Sequence, residues 1–166
     1  MRSIPVISNA AKRIRIFICI LTITLILSSC ETKEDNVVAS LGNYESKSYY
    51  SSGGFQDYTD YAKYCFTSVD ATKNQYLKRI QDDDLLTINM HLDDFEDWIK
   101  TIENGDSLNE VVINYDFDRS IIDMEDYIFI DSEEHAWSDG HTSLVRYNIY
   151  FFDTQTNVLY YFHNNI

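Results

Sequence analysis

Positive charge is what this sequence has least of. Thirteen Lys and Arg stand against 27 Asp and Glu in 166 residues, a net charge of −14. A chain this acidic repels phosphate backbones and anionic lipid head groups, so nucleic acid is excluded as a partner. Cysteine is nearly absent too: Cys19, Cys30 and Cys65 are all there are. No serine sits in a Gly-x-Ser-x-Gly elbow, and Gly53-Gly54 is not followed by Lys-Ser or Lys-Thr, so neither a hydrolase nucleophile turn nor a phosphate loop is present. There is no low-complexity tract in the body of the chain. Tyr, Phe, Ile and Leu are abundant enough for a packed core, which excludes wholesale disorder.

Long apolar runs are missing except near the start. Arg2, Lys12, Arg13 and Arg15 precede a run from Ile14 to Leu27 in which only Arg15, Thr22 and Thr24 are polar, and Leu27-Ser28-Ser29-Cys30 follows. A basic region, a short apolar stretch and small residues make a secretory signal peptide over residues 1–29. The apolar core, Ile16 to Leu27, is too short for a transmembrane helix, which needs about 20 residues. A plain signal peptide would leave the cysteine unexplained. Leu-Ser-Ser-Cys resembles the lipobox of bacterial lipoproteins. That resemblance implies cleavage before Cys30, two or three acyl chains on Cys30, and residence at a membrane outside the cytoplasm. Two chains, at about 0.8 kcal/mol per buried methylene, hold a protein at a bilayer where one would not.

Cleavage removes the four leader cations and no acid, leaving nine Lys and Arg against 27 acids, or −18. It also leaves Cys65 as the lone thiol, so no intramolecular disulfide can form; on an apolar stripe, Cys65 reads as a packing residue rather than a nucleophile. The remaining length suits one domain. Residues 30–54 read as the acylated cysteine and a tether, ending in Ser51-Ser52-Gly53-Gly54. Tyr44, Tyr49 and Tyr50 offer an alternative, an edge strand. Lys33-Glu34-Asp35 is similar to the Lys-acidic-acidic signal that places some Bacteroidetes lipoproteins on the outer surface of the outer membrane, and is otherwise a solvated cluster.

The globular domain is expected over residues 55–166. Phe55, Tyr58, Ala62, Cys65 and Val69 recur at helical spacing, although Ala62, Tyr64 and Phe66 alternate as in a strand. Asp70 is positioned to cap a second helix reaching about Ile80. The third helix is the clearest: Asp82 and Asp83 at its start, Leu85, Ile88, Leu92, Phe95, Ile99 and Ile102 along one stripe, and Asn104-Gly105 at its end. Period two then predicts strands over Val111–Phe117, Tyr127–Asp131, Ser143–Asp153 and Val158–Phe162, the last two joined by Asp153–Asn157 turn chemistry. The expected fold is α+β, with three N-terminal helices packed on a four-stranded antiparallel meander. Cystatin-like domains share that order by analogy. Tyr150–His163, Phe95-Glu96-Asp97-Trp98 and Tyr115-Asp116-Phe117-Asp118 resemble segments of small bacterial envelope lipoproteins, a resemblance that bears on the fold more than on the function.

Candidate chemistry is thin. His135 and His141, beside Glu133, Glu134 and Asp139, have spacing compatible with zinc, but an ordinary polar loop explains them as well; His91 and His163 are distant in sequence. Asp116, Asp118, Asp123, Glu125 and Asp126 are dense enough to suggest calcium, yet no glycine permits the sharp loop calcium needs. Asp82-Asp83-Asp84 reads as helix capping. Neither a metal nor a cofactor is expected.

Aromatic abundance beside acid stands out: thirteen Tyr, nine Phe and two Trp. Tyr147, Tyr150, Tyr160 and Tyr161 fall on both faces of the meander, near Arg146 and His163. Tyr147 and Tyr161 are therefore candidate contacts on an exposed face, unless helices and tether cover it. Asp93, Asp94, Glu96 and Asp97 lie off the third helix's apolar stripe as a candidate steering face. The expected function is an acidic module binding a cationic protein or peptide, in the manner of an immunity protein or inhibitor. A small envelope hydrolase or metal-dependent enzyme is the alternative.

Overall fold

In the computed structural model, residues 35–53, 57–136 and 142–165 are described. The leader, Cys30, Phe55, and Trp137 through His141 lie outside them. The elements in chain order are α1 (Asn36–Ser40), β1 (Ser46–Ser51), β2 (Tyr58–Cys65), a 3-10 turn (Ala71–Lys73), β3 (Lys78–Arg79), α2 (Asp84–Gly105), α3 (Glu110–Asn114), a second 3-10 turn (Arg119–Ile121), β4 (Tyr127–Ala136), β5 (Thr142–Asp153) and β6 (Val158–Asn165). The strands form one sheet in the order β1-β2-β6-β5-β4-β3, with every neighbouring pair antiparallel.

The expectation of three helices on a four-stranded meander is therefore wrong. The described residues form a six-stranded antiparallel sheet with one long helix. Phe55–Val69 fails as a helix because its strand-like alternation wins. β2 lies between β1 and β6, and both of its faces are covered, so Thr59, Asp60, Tyr61, Ala62 and Tyr64 are all buried. An interior strand buried on both faces carries consecutive apolar residues, which mimic helical spacing by chance.

Asp70–Ile80 holds only a 3-10 turn before β3. Asp70 makes no side-chain cap, and Asn74 Oδ1 instead accepts the N–H groups of Tyr76 and Leu77 at 2.8 and 2.9 Å, an Asx turn that ends the helical path. The strand expected over Val111–Phe117 does not form. Asn109 Oδ1 accepts the Val111 N–H at 3.0 Å and caps α3, which buries Val111 and leaves Ile113 60% exposed. Residues 36–51, expected within the tether, supply both α1 and the edge strand β1.

α2 follows its expected stripe, burying Ile88, Leu92, Phe95 and Ile99. Its N-cap, Asp83, makes no side-chain cap; Asp84 Oδ2 takes the Gln81 N–H at 3.0 Å instead. At the other end Asp106 N–H bonds the Ile102 carbonyl at 2.6 Å.

The helix packs on one sheet face, formed by Tyr61, Ile128, Tyr147, Ile149, Phe151 and Phe162, together with Val111 and Phe117. Val37 and Val38 of α1, with Ala71 and Leu77, cover Ala62, Tyr64, Tyr150, Phe152 and Leu159 on the other. Both faces are thus buried over much of their area, which accounts for aromatics at successive positions of β5 and β6. Tyr147 and Tyr150 are both buried, and Tyr160 and Tyr161 half-buried.

The β5–β6 hairpin turns through Asn157, at φ 55°, a left-handed conformation Asn tolerates. Asp153 accepts the N–H groups of Gln155 and Thr156 at 2.8 and 3.3 Å. The fully buried Asp126 takes the Asp123 N–H at 2.9 Å, and the N–H and hydroxyl of Thr154 at 2.9 and 3.1 Å, tying the start of β4 to this turn.

Candidate binding site

The four acids expected to steer a partner are largely engaged within the domain. Arg119 lies across two of them: its Nη1 donates to Asp93 Oδ1 at 2.7 Å and its Nε to Glu96 Oε1 at 2.9 Å. Burial acts against the Arg119 charge, but the two carboxylates outweigh it and its pKa is raised. Glu96 also accepts the Tyr115 hydroxyl at 3.0 Å. Asp97 pairs with Lys100 one turn on, at 2.8 Å, with both side chains exposed.

Asp94 turns toward the sheet. Its Oδ2 accepts the Tyr147 hydroxyl at 2.9 Å and the Asn164 amide at 3.4 Å. Tyr147 is 0% exposed, so it has no surface to offer a partner; burial, then the Asp94 charge, raise its pKa. Tyr161 is half-buried on the opposite face, its hydroxyl 2.9 Å from Asn148 Oδ1. The structure does not bring Asp93, Asp97, Tyr147 and Tyr161 together.

Among the described residues, no group of three or more His, Cys, Asp or Glu side chains is placed to hold a metal ion. Of the expected zinc residues, His135 lies on β4, while His141 is outside the described residues. His91 is buried in α2 with its Nδ1 2.8 Å from the Thr87 carbonyl. The five acids from Asp116 to Asp126 each serve a different local purpose. Asp116 takes the Tyr61 hydroxyl at 2.7 Å and the Lys63 ammonium at 2.5 Å, Asp118 and Asp123 accept turn N–H groups, Glu125 pairs with Arg79, and Asp126 ties the hairpin.

A cleft of about 320 Å³ opens where the C-terminal end of α2 meets the ends of β1, β2 and β6. Trp98, Ile102, Gly105 and Asp106 come from α2 and its cap, Ser52 and Gly53 from beyond β1, Asp57, Tyr58 and Thr59 from the start of β2, Asn164 and Asn165 from β6, and Asn109 from the α3 cap. Gly53, at φ +69°, takes the chain into the left-handed region there.

The floor is held by neutral polar side chains. Thr59 Oγ1 donates to Asn164 Oδ1 at 3.0 Å, Asn164 passes its amide to Asp94, and Asn109 donates to the Ser52 carbonyl at 3.0 Å. Among the described residues the lining contains Asp57 and Asp106 and no Lys or Arg. A 22-residue helix also directs the negative end of its dipole at this point. Trp98 adds aromatic surface, whereas the Tyr58 ring turns to the other sheet face, beside His163. The cleft therefore attracts positive charge and offers the Trp98 ring for it to lie on. Sequence reading missed it because its lining comes from segments far apart in the chain.

On the far face, Asp60 and His163 are cross-strand partners, each less than a tenth exposed. Asp60 Oδ1 and His163 Nε2 have no hydrogen-bond partner among the described residues. His163 Nδ1 lies 2.8 Å from Asn148 Oδ1, and the Tyr58 ring centroid 4.9 Å from that of His163. No protein-family model matches the chain, and no curated protein or solved structure does either.

Proposed function

We propose that this chain is a lipid-anchored protein of the cell envelope whose acidic domain binds a cationic protein or peptide. The anchor reading rests on the basic-apolar leader ending in Leu27-Ser28-Ser29-Cys30. The binding reading rests on one observation above the others: a cleft at the C-terminal end of α2 with the Trp98 ring, two carboxylates and, among the described residues, no cation. A Lys or Arg side chain entering it gains the helix dipole, Asp57 and Asp106, and the face of Trp98. The overall charge of −18 acts earlier, raising the encounter rate of a cationic partner before any contact forms.

Titration of the full-length protein in neutral detergent with hexalysine, followed by Trp98 emission, tests the reading. Hexalysine should perturb Trp98, hexaglutamate should not, and the effect should be lost in Trp98→Phe. Association should slow steeply between low and high salt while dissociation barely changes, because charges more than about 8 Å apart are screened at physiological ionic strength. The double change Asp57→Asn, Asp106→Asn should weaken binding roughly tenfold, or ~1.4 kcal/mol. Binding indifferent to that double change would remove the cleft from the proposal.

A further inference from the structure

β1 is the last strand of the sheet on its side, and its outer edge is open. Ser52 donates its N–H to the Thr59 carbonyl at 2.8 Å, which fixes the phase of the ladder. In an antiparallel pair the hydrogen-bonded positions alternate, so Ser46, Ser48 and Tyr50 spend their backbone groups on β2. Lys47, Tyr49 and Ser51 point theirs outward, and among the described residues nothing accepts or donates to them. Beyond Ser51 the open stretch closes, since Asn109 occupies the Ser52 carbonyl.

The opposite edge of the sheet is defended. β3 is two residues long, and β4 beyond Ile128 carries Asp131, Glu133 and Glu134. Short edges and edge charges are the usual protection against pairing with another chain. β1 has neither. It is six residues of Ser, Lys and Tyr without proline, and its one charge, Lys47, is folded back over the Tyr49 and Tyr64 rings, about 5 Å from each centroid. Tyr49 is 48% exposed, one of the few large hydrophobic side chains so placed.

We infer that β1 is a docking edge on which an extended, cationic segment of another protein adds as a seventh strand. The segment would exchange N–H and C=O groups with Lys47, Tyr49 and Ser51, a mode in which backbone pairing gives affinity and flanking pockets give specificity. The inference rests on the cleft reading and deepens it, because the open edge ends at Ser52 and Gly53, which line the cleft. A strand laid on β1 thus leads toward Asp57, Asp106 and Trp98. Charge decides the occupant. A second copy would bring another −18 against the first, whereas a cationic segment is drawn in.

Amide hydrogen exchange of the full-length protein in neutral detergent, with the octapeptide Lys-Thr-Lys-Thr-Lys-Thr-Lys-Thr as probe, tests this. At a peptide concentration ten times its Kd, exchange at Lys47, Tyr49 and Ser51 should slow about tenfold, while Ser48 and Tyr50, already in the ladder, stay as they were. An isocharged Lys-Pro repeat, which cannot form a strand, should perturb Trp98 without protecting these amides. The double change Lys47→Pro, Ser51→Pro removes two outward N–H groups and should abolish the protection; Lys47→Ala, Ser51→Ala should keep it. Trp98 perturbation by the Lys-Thr peptide with no protection on β1 would overturn the inference and leave the cleft reading standing. Loss of both signals would remove both. Protection present without peptide and growing with protein concentration would assign the edge to a second copy and overturn the inference as well.

Discussion

Asp94 and Asp97 are one helical turn apart in a run of acids, yet the structure gives them opposite roles, and replacing each by alanine separates these roles sharply. Asp94→Ala removes the acceptor of the Tyr147 hydroxyl, which has no solvent to turn to. Leaving a buried hydroxyl without a partner costs about 1–3 kcal/mol. With a urea slope of about 2 kcal/mol per molar, a 2 kcal/mol loss lowers the unfolding midpoint by roughly 1 M. Asp97→Ala breaks an exposed pair with Lys100 and should leave the midpoint where it was. The decisive variant is the double one. Once Asp94 is gone, Tyr147→Phe deletes the orphaned hydroxyl, so Asp94→Ala, Tyr147→Phe should be more stable than Asp94→Ala alone. Far-UV dichroism in a urea series measures all four proteins. A double variant no more stable than Asp94→Ala, or equal midpoints for Asp94→Ala and Asp97→Ala, would refute the assignment of Asp94 to the sheet-facing side of the helix.

Three further outcomes follow from the same structure. Phe95→Ala, at the fully buried centre of the helix stripe beside Tyr115 and Phe162, should cost roughly 3–5 kcal/mol in the same urea assay. His163 has its pKa lowered, by burial first, with Asp60 opposing and Arg146 assisting. Its native state therefore resists protonation more than the unfolded chain does. The stability it contributes is full above the unfolded value near 6.5 and is lost as pH falls through the lowered folded value, so the acid limb of a stability–pH curve should flatten in His163→Gln. Cys30→Ala should abolish incorporation of radiolabelled fatty acid; equal label on wild type and variant would end the lipoprotein proposal.

How far the sequence could be read depended on how many interactions compete to decide each segment. α2 was legible because a five-turn apolar stripe from Leu85 to Ile102 admits a single period. β5 and β6 were legible from alternation and the Asp153–Asn157 turn. Phe55–Val69 carried both periods at once, and only the burial of β2 between β1 and β6 decides between them. At Val111 the deciding interaction is one side-chain cap from Asn109, which outweighs three alternating residues. Val37 and Val38 are too few to signal a helix until the sheet face they cover is known. The acid run on α2 was visible as charge, but which acids meet Arg119, Lys100 and Tyr147 depends on residues 3 to 53 positions away.

The early start of the fold also shortens any leash. With α1 packed from Asn36 onward, five residues separate it from Cys30 instead of the two dozen read as tether. The six Cα-to-Cα steps from Cys30 to Asn36 reach at most about 22 Å, at roughly 3.3–3.6 Å each. In the proposed anchored form the domain is therefore held close to the lipid surface, within a few screening lengths of it, and cannot sweep a wide volume in search of partners. What it meets must come to the bilayer. Repulsion between its carboxylates and anionic lipid then selects, among the orientations the short leash permits, those that turn the most acidic surface outward.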